Sequence, residues 1–167
     1  RGRAGLSAHR ARAPHARVGA VRDVYRSSMM DVQEAIRNAP LFSQLSKKDI
    51  KQLAATLNQR SFPAGTVIIE KGKPGVGFFI IAGGAATVTV AGNQVRSLKA
   101  GDHFGEVALI DDGPRMAEVT AVTDLECYAL AAWQFRPFVQ DHPDVAWALM
   151  QSLVKRIVRD AKSDEEI

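Results

Sequence analysis

Two periodicities divide the chain. From about residue 31 to 57 and after residue 131, apolar side chains recur every three or four positions; between these stretches they alternate or cluster in short runs bounded by Gly, Pro, Asn and Asp. Asp31-Val-Gln-Glu34 reads as a capping box opening a short helix that stops before Pro40. Ser46-Lys-Lys-Asp49 reads as a second box, opening a helix through about Leu57 with Ile50, Leu53, Ala54 and Leu57 at helical spacing. Runs rich in Val, Ile, Thr and Phe then predict strands over 59–62, 66–70, 77–82, 85–90, 94–98, 115–121 and 125–130. The turns between them are Pro63-Ala-Gly65, Gly72-Lys-Pro-Gly75, Gly83-Gly84, Gly92-Asn93, Ala100-Gly-Asp102 and Thr123-Asp124. Val88 and Val90 alternate with Thr87 and Thr89, as in a half-buried strand. Residues 132–140, with Trp133, Phe135, Phe138 and Val139, read as helix again. His142-Pro143-Asp144 starts a last helix, whose apolar stripe runs from Val145 to Val158 and whose end lies near Ala161, before a solvated Asp164-Glu-Glu166 tail. The expected fold is mainly β with flanking helices, an antiparallel β jelly roll (double-stranded β-helix) with short helices at its N-terminus and two more at its C-terminus.

Charge changes the picture at one end only. Residues 1–28 hold seven arginines and one acid, Asp23. Against totals of 22 basic and 18 acidic residues, 15 basic and 17 acidic remain in 29–167, so the net +4 belongs to the tail. With almost no large apolar side chain, residues 1–28 read as a disordered basic tail, and 29–167 as a single domain. The tail admits four readings: an extension ahead of a start at Met29 or Met30, a basic arm for nucleic acid, membrane or a partner, an arm ordered only in an assembly, or a transit-like peptide. A nucleic-acid footprint belongs on a structured face, so DNA binding is expected only through the tail. No apolar run approaches the roughly 20 residues that span a bilayer. The single Cys127 sits in an apolar run and reads as a buried free thiol, which favours a reducing, cytoplasmic setting.

One stretch carries chemistry. In Phe104-Gly-Glu-Val-Ala-Leu-Ile110 a glycine and an acid interrupt apolar sequence; after a short acidic turn, Gly113-Pro114 leads into Arg115-Met116-Ala117. An acid among apolar neighbours is unfavourable to bury without partners. A glycine before a short helical turn exposes backbone N–H groups to an anion. Arg115 adds a permanently charged fork for phosphate oxygens, and Glu106 can accept from a sugar hydroxyl. The competing reading is a strand, a turn and a strand with an incidental ion pair. Enzyme signatures are missing: no P-loop, no nucleophile elbow, no HExxH. His9, His15, His103 and His142 are too scattered for a metal site, and Asp111-Asp112 reads as an exposed turn, so no catalytic residue and no metal are expected.

The run Phe104-Gly105-Glu106-Val107-Ala108-Leu109 followed by Pro114-Arg115-Met116-Ala117 closely resembles the phosphate-binding cassette of cyclic nucleotide-binding domains, as found in catabolite activator proteins, kinase regulatory subunits and nucleotide-gated channels. Gly72-Lys-Pro-Gly75, Phe78-Phe79-Ile80-Ile81 and Gly84 are similar to that family's glycine-punctuated strands, and the likeness covers about 31–162. The resemblance implies a ligand, cyclic AMP, with no other cofactor. It places Arg115 on the cyclic phosphate with the amides of Ala108 and Ala117, Glu106 on the ribose 2′-hydroxyl, and Gly105 where the backbone comes close. Val107 and Met116 belong to the same cassette. Val88 and Val90 would line the base side. The last two helices would act as hinge and lid, with Arg156 either a lid arginine over the base or a solvated helix-end cation. Glu118 departs from the small or hydroxyl residue usual there, so no cyclic GMP preference is implied. Facing the pocket it would repel phosphate; facing out it is a surface acid. Met116 replaces a small residue and could crowd the phosphate. Output is expected from a protein partner, from the tail or from self-association through the last helix. The alternatives are an assembly domain with a non-binding pocket and a DNA-binding regulator using the tail.

Overall fold

Residues 30–111 and 113–165 are described in the computed structural model. The 1–28 tail with His9 and His15, Asp112, and Glu166 lie outside the described residues. The chain opens with α1 (Val32–Asn38), whose first turn is capped by the Asp31 carboxylate accepting from the N–H groups of Gln33 at 2.8 Å and Glu34 at 2.9 Å. A 3-10 turn at Pro40–Phe42 leads to α2 (Lys47–Thr56), capped by Ser46 Oγ accepting from Asp49 N–H at 3.1 Å. Eight strands follow: β1 (Asn58–Phe62), β2 (Val67–Ile69), β3 (Gly77–Gly83), β4 (Ala85–Val90), β5 (Asn93–Lys99), β6 (His103–Phe104), β7 (Glu118–Ala121) and β8 (Leu125–Ala131), with α3 (Val107–Ile110) between β6 and β7. They form two antiparallel four-stranded sheets in the orders β1-β8-β3-β6 and β2-β7-β4-β5. Helices α4 (Ala132–Asp141) and α5 (Pro143–Glu165) complete the described chain.

Strand β3 shows why its sequence is an unbroken apolar run rather than an alternation. Phe79 and Ile81 point between the sheets, with Ile69, Ala86, Leu98, Phe104, Val119, Leu125 and Cys127. Phe78, Ile80 and Ala82 point the other way, onto Ile36, Phe42, Leu53, Phe135, Val145 and Leu149 of the helices. A strand buried on both faces has no polar side to show. Full burial of a side chain such as Phe78 contributes roughly 1.5–3 kcal/mol, which fixes the helices on this sheet. Cys127 is fully buried and unpaired, as expected, and burial pushes its thiol up to about 12.

Several boundaries differ from expectation, each for a local reason. The β4–β5 loop is Ala91-Gly92, both at positive φ (51° and 84°), so Asn93 begins β5 instead of ending the turn. The expected strand 115–121 begins only at Glu118, because Arg115 bonds its backbone to Lys73 and Gly72 instead. The two-residue β6 was too short for any periodicity to show. Helix α5 runs past Ala161 to Glu165, and its apolar stripe is two stripes: Val145 and Leu149 are buried, while Trp147, Met150, Val154, Ile157 and Val158 are exposed. No helix among the described residues is long and apolar enough to cross a membrane.

Candidate functional site

The site forms where β6 ends. Gly105 has φ +96°, and a Cβ there would collide with the Gly77 carbonyl oxygen of β3. Only glycine combines that left-handed backbone with that close approach. The turn it makes sends Glu106 inward, to 1 % exposure, and starts α3. The first amides of a helical turn have no partner within it, so Val107 and Ala108 present theirs at the same place. Beyond Gly113-Pro114, Arg115 is also buried, at 5 % exposure. The Gly72–Gly75 loop holds it: Arg115 Nε donates to the Pro74 carbonyl at 3.4 Å, Arg115 N to Lys73 O at 3.3 Å, and Gly72 N to Arg115 O at 2.8 Å. That cradle was not foreseen; the glycine-rich loop was the only signal for it.

Glu106 and Arg115 do not form an ion pair with each other. Glu106 instead faces Arg156 of α5, whose Nη2 lies 2.6 Å from Oε1. The approach is close but its angles miss hydrogen-bond geometry, so both Glu106 oxygens, Arg156 Nη2 and Arg115 Nη2 are buried without a hydrogen-bond partner. Arg156 is thus not a solvated helix-end cation: its side chain is 22 % exposed and tied to the cassette. Burial lowers the Arg115 pKa from its ordinary value, and the Glu106 charge partly opposes this.

Two further charged or titratable groups were missed by sequence reasoning. Arg96 on β5 is held below its usual pKa by burial and by Arg156, with Glu106 acting the other way. The alternation around it was hidden by Val95. His103 is buried against Phe78, ring centroids 5.6 Å apart, with Nε2 unpartnered. Burial first, then Arg156 and Arg96, lower its pKa from 6.5, while Glu106 and Asp102 resist. The unfolded chain therefore takes up a proton that the folded one refuses, so stability is full above pH 6.5 and declines as pH falls below it. Thermal unfolding between pH 7.5 and 5.5 should show this decline, and His103→Phe, which keeps the ring against Phe78, should flatten it; an unchanged slope in the variant would remove His103 as its source.

The other candidate residues are placed as follows. Val88 packs against the inter-sheet core, and Val90 stands farther along β4, paired with Asn93. Ala108 and Ala117 are half-buried, Val107 is 47 % and Met116 67 % exposed. Met116 therefore extends into solvent. On β7, Val119 and Ala121 point into the core, so Glu118 and Thr120 point away from it. Asp111 is exposed, as expected of a turn. A cleft of about 540 Å³ opens between α3 and α4, lined by Gly75, Ala108, Leu109, Trp133 and Pro137 among others. It contains neither Glu106 nor Arg115, so it is a gap at the hinge rather than the two-sign site. No group of three metal-ligating side chains occurs among the described residues.

Comparison with known proteins gives this arrangement a family. The sequence profile described as "Cyclic nucleotide-binding domain" matches residues 59–142. A cyclic nucleotide-gated potassium channel of Rhizobium etli is 32% identical over 138 residues, 83% of this chain and 39% of the channel. A cAMP-dependent protein kinase regulatory subunit of Emericella nidulans is 38% identical over 103 residues, 60% of this chain and 25% of the subunit. The chain thus spans well under half the length of these relatives. The catabolite activator protein of Thermus thermophilus superposes with a TM-score of 0.66 at 29% identity, over 76% of this chain and 62% of that one.

Proposed function

The chain belongs to the cyclic nucleotide-binding domain family, and from that premise we propose that residues 29–167 are one regulatory domain that senses cyclic AMP and catalyses nothing. One observation carries the reading. Glu106 Oε2 and Arg115 Nη2 are buried, of opposite charge, not paired with each other and without hydrogen-bond partners. Buried polar groups are rarely left so. A cyclic nucleotide supplies both complements: an anionic phosphate for the Arg115 fork, and a ribose hydroxyl that donates to Glu106. In this reading Gly105 lets the backbone approach the sugar, and the amides of Val107, Ala108 and Ala117 bound the phosphate. Met116 flanks it from the solvent side, and Val88 and Val90 carry the base. Arg156 holds the other Glu106 oxygen and so links the cassette to α5. Ligand binding then shifts the population of α4 and α5 arrangements about the cassette. The ligand choice follows the kinase relatives, whose names specify cAMP.

The outward position of Glu118 removes the observation that favoured a non-binding pocket. A second reading has its own support: the channel relative matches 138 residues, beyond the 84 of the family profile, and so includes flanking helices. In that reading the domain regulates a channel from the cytoplasmic side, its partner being the rest of a longer chain. Self-association through the exposed stripe of α5 and DNA contact through the 1–28 arginines are further routes to output. Titration calorimetry with cyclic AMP tests the central proposal. Saturable binding at micromolar to submillimolar ligand supports it, and no heat at millimolar ligand sinks it.

A further inference from the structure

One buried titratable group, His103, has no part in the reading above. It lies on β6, paired with Ile80 of β3. Its neighbour Phe104 points between the sheets, so alternation turns His103 the other way, toward the helices. There its ring lies against Phe78, and Phe78 in turn meets Phe135 of α4, with centroids 5.6 and 5.7 Å apart. The imidazole is one end of a row of rings that reaches the hinge helix. It is 7 % exposed, and its Nε2 is buried without a hydrogen-bond partner. Four charged groups face it: Glu106 of the cassette, Arg156 of α5, Arg96 of β5 and Asp102 of the β5–β6 turn. Two are negative and two positive, so burial tips the balance and holds the ring neutral.

A ring held in such a balance responds to any change of charge around it. If the proposed reading holds, a cyclic nucleotide makes such changes, and they act in one direction. The phosphate adds a negative charge beside the same cassette, which favours an imidazolium. Arg156 already sits 2.6 Å from Glu106, so a rearrangement of α5 can only draw its charge away from that carboxylate and leave Glu106 freer to favour the imidazolium. Desolvation can hardly grow, because the ring is already buried. We infer that nucleotide binding is coupled to uptake of a proton by His103, which makes the proton a second ligand of the site. The inference rests on the proposed cyclic-nucleotide reading and adds a regulation to it. The sign follows from linkage: the bound protein holds more protons than the free one, so affinity rises as pH falls. A single proton limits the slope to about tenfold per pH unit.

The test uses the full chain. Cyclic AMP is titrated calorimetrically at several pH values from 7.5 to 6.0, each in two buffers of different ionisation enthalpy, which together read the protons taken up per nucleotide bound. The wild-type protein should take up a fraction of a proton and bind severalfold more tightly at the acid end. His103→Phe, which keeps a ring against Phe78, should bind cyclic AMP with no proton uptake and with an affinity that no longer follows pH. His103→Gln, also without a titrating group, serves the same comparison if the phenylalanine variant does not fold. Binding by the wild type with no proton uptake, or with proton release, overturns the inference and leaves the proposed function standing. So does uptake undiminished in the variants, which would move the proton to another group such as His142, beside Asp49 at the hinge. No binding of cyclic AMP by the wild-type chain overturns both.

Discussion

Arg115→Ala should lower the affinity for cyclic AMP by about a hundredfold or more while the protein stays folded. The magnitude follows from removing a charge-assisted fork at a buried site, where such pairs are worth about 2–5 kcal/mol. The fold survives because the loop around Arg115 is anchored by its backbone: Gly72 N to Arg115 O and Arg115 N to Lys73 O persist with alanine. Only the Nε bond to Pro74 is lost, about 1 kcal/mol. Arg115→Lys should recover little, since a point charge cannot reproduce the planar fork. Calorimetry gives the affinity and thermal unfolding the fold. An alanine variant that binds as tightly as the wild type would falsify the phosphate assignment.

Gly105→Ala should be the most damaging small substitution in the domain. The new methyl group meets two penalties together: a left-handed φ of +96°, and the Gly77 carbonyl oxygen, backbone that cannot step aside. The combined loss is expected to be about 3 kcal/mol or more, roughly 10 °C in melting temperature. Gly92→Ala is the control. Its φ is +84°, yet nothing lies within 4 Å of the added carbon, so it should lose only about 1–2 kcal/mol. Calorimetric melting of the two variants separates strain from collision, and equal losses would show that the contact with Gly77 is unimportant.

Much of this was legible in the sequence. Asp31 and Ser46 announce helix starts because their short oxygens reach the free amides of the first turn, and both do so. The period-2 runs give most of the strands because one sheet face meets the core and the other does not. What stayed hidden depends on contacts distant in sequence. The Glu106–Arg156 link joins residues 50 apart, and a sequence reader has no reason to prefer it to the nearer Arg115. Arg96 was obscured by its neighbour: Val95 is the apolar residue and so the one the sequence offers to the core, whereas Arg96 shares the face of Leu98 and Val95 is exposed. Glu118 was ambiguous for the same cause, since facing is a matter of register, and only the pairing of β7 with β4 fixes it. The Gly72–Gly75 loop looked like an ordinary turn because its task, holding Arg115, is carried by carbonyl oxygens that any residue provides.

Cys127, sealed between the sheets with its thiol shifted to about 12, has a practical consequence. It is the only cysteine in the chain, and at neutral pH it offers almost no thiolate to an electrophile. A maleimide dye would therefore ignore the native protein and attach only to a cysteine introduced on purpose, with no background to remove by mutation first. Trp147→Cys on the exposed side of α5 and Trp133→Cys at the mouth of the hinge cleft are ready attachment points. A fluorophore pair on them would follow the last helix in real time as nucleotide is added.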